Sequence, residues 1–218
     1  MLLLPIYDLA TRSASGFIIR KILPRSIPPQ LIGPSDRRPL VNLPAGDLIL
    51  GAGHGSPSEF YGHNNELLWD SLHLPNAKGK VVVLVSCETA QELGPALISH
   101  GATAFVGYYE DVLWVADAEA WATPWKDKFA EPVMGPIVQS IACLFDGKTV
   151  QQAYDLQRSL LQQNLAQETD EFIASLIAWN LDSVRLLGDG SSRIRQTVPA
   201  NPLFSFIPPP PIILPVGS

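Results

Sequence analysis

Lys80-Val81-Val82-Val83-Leu84-Val85-Ser86-Cys87-Glu88-Thr89 is the stretch on which the reading of this chain turns. Val81 to Val85 are apolar without a break and mostly β-branched, with Lys80 before them and Ser86 after. That pattern predicts a strand buried on both faces, as strands of a parallel sheet are. Glu92 to His100 then reads as a helix closed by Gly101, and Thr103 to Tyr108 as the next strand. Upstream, Asp47-Leu48-Ile49-Leu50 is a second buried strand that runs straight into the glycine-rich Gly51-Ala52-Gly53-His54-Gly55-Ser56. Strands alternating with helices imply parallel pairing, because a parallel neighbour is reached only by a crossover.

Working outward, Leu2 to Tyr7 is an apolar run broken by Pro5 that reads as a first strand. Ser13 to Leu23 carries Phe17, Ile18, Ile22 and Leu23 on one side of a helix. The proline-rich segment from Pro24 to Pro44 reads as loop, and Asn64 to Leu72 as a short helix capped by Asn64 or Asn65. Beyond a connection rich in tryptophan (Trp114, Trp121, Trp125) come three helical patterns. Their apolar positions are Val133, Ile137, Val138 and Ile141; Val150, Ala153, Tyr154, Leu160 and Leu161; and Phe172, Ile173, Leu176 and Ile177. Leu186 to Arg195 reads as a tight turn leading into a short strand. The expected architecture is a three-layer α/β/α sandwich with a mostly parallel sheet over residues 1–195, followed by a proline-rich tail over 196–218.

The composition bounds what such a domain does. At 218 residues the chain holds one domain with a sizeable core. Its net charge of −6, without a run of Lys or Arg, argues against nucleic acid as a partner. Two cysteines, Cys87 and Cys143, make no disulfide framework. The N-terminus lacks the basic region of a signal peptide, and the one long uncharged stretch, from Gln196, holds 7 of the 20 prolines, so no membrane helix is expected. A cytoplasmic location is the expectation.

Groups that do chemistry in open parallel sheets sit just past the carboxyl ends of strands. Two such ends here carry a reactive side chain, His54 and Cys87. Glycines beside a histidine allow close backbone approach and leave an amide open to an oxyanion. A cysteine between a strand and a helix is expected to gain thiolate character from the helix N-terminus. If the two strands are neighbours, a scissile peptide fits between imidazole and sulfur. Against this stand two plainer readings, a buried core thiol and a turn histidine that satisfies backbone groups. Cys143 lies on the stripe of Ile137, Val138 and Ile141 and reads as core, while His63, His73 and His100 have no evident pairing. The glycine-rich run also nearly matches a dinucleotide fingerprint, with Asp70 placed for a ribose. Its third glycine is Ser56, however, and Pro57, Tyr61 and Gly62 interrupt the helix it needs. No G-x-S-x-G, Walker A or H-E-x-x-H occurs, and no histidines are spaced as metal ligands.

In Asp47 to Ser56 followed by Val81 to Ala90, the chain resembles the caspase-like cysteine peptidases of the caspase-haemoglobinase fold, particularly the gingipain-type family and the related CHAT domains. The resemblance runs on through Leu93 to Gly107 and to Leu187-Gly188-Asp189-Gly190, covering roughly residues 45 to 195. It implies a cysteine endopeptidase acting on protein or peptide substrates, without metal or organic cofactor. Cys87 would attack the carbonyl and His54 protonate the leaving amine, with the amides of Gly55 and Cys87 as the oxyanion hole. Members that cleave after Arg or Lys hold an acid in the S1 pocket. Val85-Ser86 supply none before Cys87, so Asp8, Glu110 and Asp111 are the candidates, with Trp114 as an aromatic wall. The rival reading keeps the fold but not the reaction, leaving a catalytically silent interaction module, and the chain is also compatible with being one part of a longer protein.

Overall fold

A computed structural model describes residues 2–4, 11–22, 30–31, 47–62 and 65–194. Six strands form the main sheet: β1 (Leu2–Leu4), β2 (Gln30–Leu31), β3 (Leu48–Ala52), β7 (Val81–Val85), β8 (Ala104–Tyr108) and β9 (Val184–Gly188), in the spatial order β2-β1-β3-β7-β8-β9. All pairs are parallel except β8 with β9, which is antiparallel. β3 and β7 are central and every residue of both is buried, which is why they read as unbroken apolar runs.

Alternation along the strands feeds two cores. Leu48, Leu50 and Ala52 with Val81, Val83 and Val85 face α1 (Arg12–Ile22), α3 (Glu131–Phe145), α4 (Val150–Gln167) and α5 (Glu171–Ser183). Ile49, Val82, Leu84 and Phe105 face the other way, onto α2 (Leu93–Ser99) and a small antiparallel sheet. The result is a three-layer α/β/α arrangement with an uneven share of helices.

That small sheet is where the sequence reading needs correction. β4 (His54–Gly55), β5 (Glu59–Tyr61) and β6 (Leu67–Asp70) pair in order, so the segment expected as a helix from Asn64 is a strand. Leu68 and Trp69 are buried with Phe60, whose ring lies 5.2 Å from that of Trp69, and this packing outweighs local helix preference. The turn near Asp189 also follows its strand instead of leading into one, and no strand follows among the described residues. Asn64, His63, Asp8 and the tail from Gln196 lie outside the described residues.

A buried polar network pins the helical layer to the sheet. The Tyr108 hydroxyl accepts from Gln157 Nε2 at 2.9 Å, and Ser140 Oγ donates to Gln157 Oε1 at 3.1 Å. Each polar end is satisfied without water, as burial requires.

Candidate active site

β3 and β7 pair in register, Ala52 opposite Val85, so His54 and Cys87 each stand two residues past a matched pair of strand ends. Strands are about 4.8 Å apart, so the two turns are neighbours. The Gly53 amide continues the ladder by donating to the Val85 carbonyl at 3.2 Å. Beyond it the His-Gly turn rests directly on the Cys87 turn. A Cβ on Gly55 would meet Ser86 Oγ, the Cys87 carbonyl oxygen at 2.5 Å and Thr89 Cγ2 at 2.8 Å. Only glycine fits there. Gly51 is explained in the same way: its missing Cβ makes room for Phe60, which a Cβ would approach to 2.8 Å. These glycines serve a hairpin and a sheet, and the chain leaves them as a strand pair instead of the helix a dinucleotide would need.

The antiparallel ladder of β4 and β5 orients the backbone. Ser56 and Glu59 exchange hydrogen bonds at 3.0 and 3.4 Å, so His54 and Tyr61 form the next hydrogen-bonded pair and Gly55 does not bond across to Phe60. The Gly55 amide therefore points away from β5, to the edge on which Gly53 meets Val85. On the hairpin face, Glu59 accepts from Ser56 Oγ at 3.1 Å and from the Tyr61 hydroxyl. The bond to Glu59, then burial, pushes the Tyr61 phenol above its ordinary range. The Pro57 carbonyl takes the amides of Glu92 and Leu93 at 3.0 and 2.8 Å, so the hairpin itself caps α2 and ties the two turns together.

This cap changes the electrostatics expected at Cys87. The helix starts at Leu93, not directly after Cys87, and its first amides are spent on Pro57, so no helix N-terminus faces the sulfur. Burial dominates and pushes the thiol up to about 11. Asp111 and Glu88 act in the same direction, while the Val112 amide opposes them. Glu88 adopts a φ of +57°, a left-handed conformation that reverses the chain immediately after the cysteine.

Of the four S1 candidates, Asp111 is brought to the sulfur and is exposed to solvent. Glu110 is exposed next to it, with its carbonyl accepting from the Glu88 amide at 3.1 Å. Trp114 packs against the main core, and Asp8 lies outside the described residues. Cys143 is partly buried against that same core, as expected, and the Asp70 carboxylate lies 3.0 Å from His73 Nδ1 at the surface. Sequence reasoning passed over Trp179 and Asn180. Asn180 continues the core-facing stripe of Ile173, partly buried, and Ile177, buried, one turn further, and a polar residue at such a position was the signal available. Among the described residues no group of His, Cys, Asp and Glu is arranged to hold a metal ion, and no helix is long and apolar enough to cross a membrane.

No family model and no curated relative matches the chain. One solved structure does, described as "Structure of Protease". It superposes with a TM-score of 0.58 over 88% of this chain at 16% sequence identity. The chain shares the fold of a protease. It spans 48% of that neighbour's length, so about half of the neighbour has no counterpart here.

Proposed function

We propose that the chain is a cysteine endopeptidase of the caspase-like kind, working through His54 and Cys87. The observation that carries this reading is the contact of the Gly55 backbone with the Cys87 turn at matched strand ends. The fold shared with a protease agrees with it.

In this mechanism the Cys87 thiol passes its proton to His54 as sulfur bonds to the scissile carbonyl carbon. The oxyanion is held by the Gly55 and Cys87 amides. Collapse breaks the C–N bond, and His54 gives the proton to the leaving amine. Water then attacks the thioester with His54 as base, releasing the acid and restoring the thiol. Asp111, with Glu110 beside it, is the acidic group available to a cationic P1 side chain.

A second reading, a silent interaction module on the same fold, is favoured by the thiol held near 11, since the thiolate is the attacking species. Turnover separates the two. Fluorogenic peptides with Arg, Lys, Asp, Asn or Leu at P1 are incubated with wild type, Cys87→Ala and His54→Ala. Hydrolysis of one P1 class that both substitutions abolish supports the peptidase. Folded wild type that hydrolyses none of them leaves the module.

A further inference from the structure

Segment 109–113 runs over the Cys87 turn and is braced from both sides. On the cysteine side the Glu88 amide donates to the Glu110 carbonyl at 3.1 Å, and Gln91 Nε2 donates to the Tyr109 carbonyl at 2.7 Å. On the other side the last two turns of α5 supply hydrogen-bond partners. Trp179 Nε1 donates to the Asp111 carbonyl at 2.9 Å and Asn180 Nδ2 to the Leu113 carbonyl at 2.6 Å. Ser183 accepts the amides of Tyr109 and Glu110 at 2.8 and 2.9 Å. Asn180 and Ser183 are fully buried, so these bonds are made where water does not compete. Trp179 thus grips the peptide group that carries the Val112 amide, which is directed at the sulfur, and Asn180 grips the peptide group that follows Leu113.

We infer that Trp179 and Asn180 are positioning residues: by fixing residues 111–113 over the Cys87 turn they govern the reactivity of the Cys87 thiol. The inference rests on the reading of Cys87 as nucleophile, but it concerns the sulfur's chemistry and is measurable without a substrate. The charged groups that act on that sulfur are Glu88 in its own turn and Asp111 on the braced segment; the elements packed beside it also carry Glu110, His54 in the turn after the neighbouring strand, and Arg185 of β9, which lies over the Tyr109 ring. Two of the influences that hold the thiol un-ionised, its cover and the Asp111 carboxylate, depend on where the braced segment lies. Loosening the brace exposes the sulfur, lets Asp111 withdraw and takes the Val112 amide away; burial is the largest influence on the thiol, so its relief outweighs the lost amide and the thiolate forms at lower pH.

Trp179 is partly exposed, so Trp179→Phe removes the N–H donor while keeping an aromatic ring and the fold. The test follows iodoacetamide alkylation of Cys87 from pH 7 to 11 by site-resolved mass spectrometry, in wild type, Trp179→Phe and Asn180→Leu. Cys143 serves as internal reference. The expected result is a midpoint about one unit lower in Trp179→Phe, with Cys87 alkylated about tenfold faster at pH 8 and the Cys143 rate unchanged. A Cys87 profile that superimposes on wild type, or a slower one, overturns the inference. Peptide turnover stands apart from this readout, so a shifted profile in a protein that cleaves nothing keeps the brace and removes the peptidase.

Discussion

Gly55→Ala is the substitution whose consequence follows most directly from the packing of the two turns. The new Cβ would stand 2.5 Å from the Cys87 carbonyl oxygen and 2.8 Å from Thr89 Cγ2, and it would also press on Ser86 Oγ. Ser86 has a rotamer to give, but the Cys87 carbonyl belongs to the backbone. Restoring an ordinary C···O contact of about 3.3 Å therefore needs the turns to part by about 0.8 Å. Overpacking of this kind costs about 1–3 kcal/mol. For a domain of this size, about 2 kcal/mol corresponds to a fall of roughly 4 to 8 °C in the thermal midpoint. The effect on turnover is larger, because separating nucleophile, base and oxyanion donor by close to 1 Å costs about a hundredfold. Circular dichroism on heating and kcat/KM on the best peptide measure both. A variant with the wild-type midpoint and kcat/KM within twofold of wild type would refute the contact on which the site is built.

Three further outcomes follow from other contacts. Tyr108→Phe removes the acceptor of the Gln157 amide inside the core and is expected to cost about 1–2 kcal/mol in urea unfolding, whereas an unchanged midpoint would mean that the amide finds another partner. Glu88→Gly relieves a φ of +57° and is expected to gain up to about 1 kcal/mol, while Glu88→Val loses stability; equal stability of the two would show that the left-handed turn is not needed. The Cys87 thiol is an acid whose folded pKa, about 11, lies above its unfolded value near 9, so it favours the folded state below pH 9 and that contribution is lost as pH rises to 11. Thermal midpoints are expected to fall over that window more steeply in wild type than in Cys87→Ala, and parallel curves would contradict the raised thiol.

The central strands were readable because they are buried on both faces. Leu48–Leu50 and Val81–Val85 carry their environment in an unbroken apolar run, and the helices of the covering layer carry theirs in a 3.6-residue stripe. The adjacency of the turns that carry His54 and Cys87 was foreseeable for the same reason, since parallel neighbours in register deliver their ends to the same place. The β4–β6 hairpin was not. Its strands are 2 to 4 residues long, too short for a period-2 pattern, and Asn64 and Asn65 ahead of Leu67 and Leu68 imitate a capped helix. The brace from α5 was hidden because it joins residues about 70 apart through main-chain carbonyls, which carry no residue-type signal. The thiol's direction was misjudged because the helix after it starts late, and only the fold shows that Pro57 takes its first amides.

The most direct test of the central claim is intact-mass spectrometry of the folded protein after exposure to peptidyl acyloxymethyl ketones with Arg, Lys, Asp, Asn or Leu at P1. Wild type is run beside Cys87→Ala and His54→Ala. A single adduct on Cys87 is expected, selective for one P1 class and strongest with the cationic ones, that Cys87→Ala abolishes and His54→Ala slows. Absence of any adduct, or labelling that is indifferent to P1 and to His54, would contradict a peptidase site at these two turns.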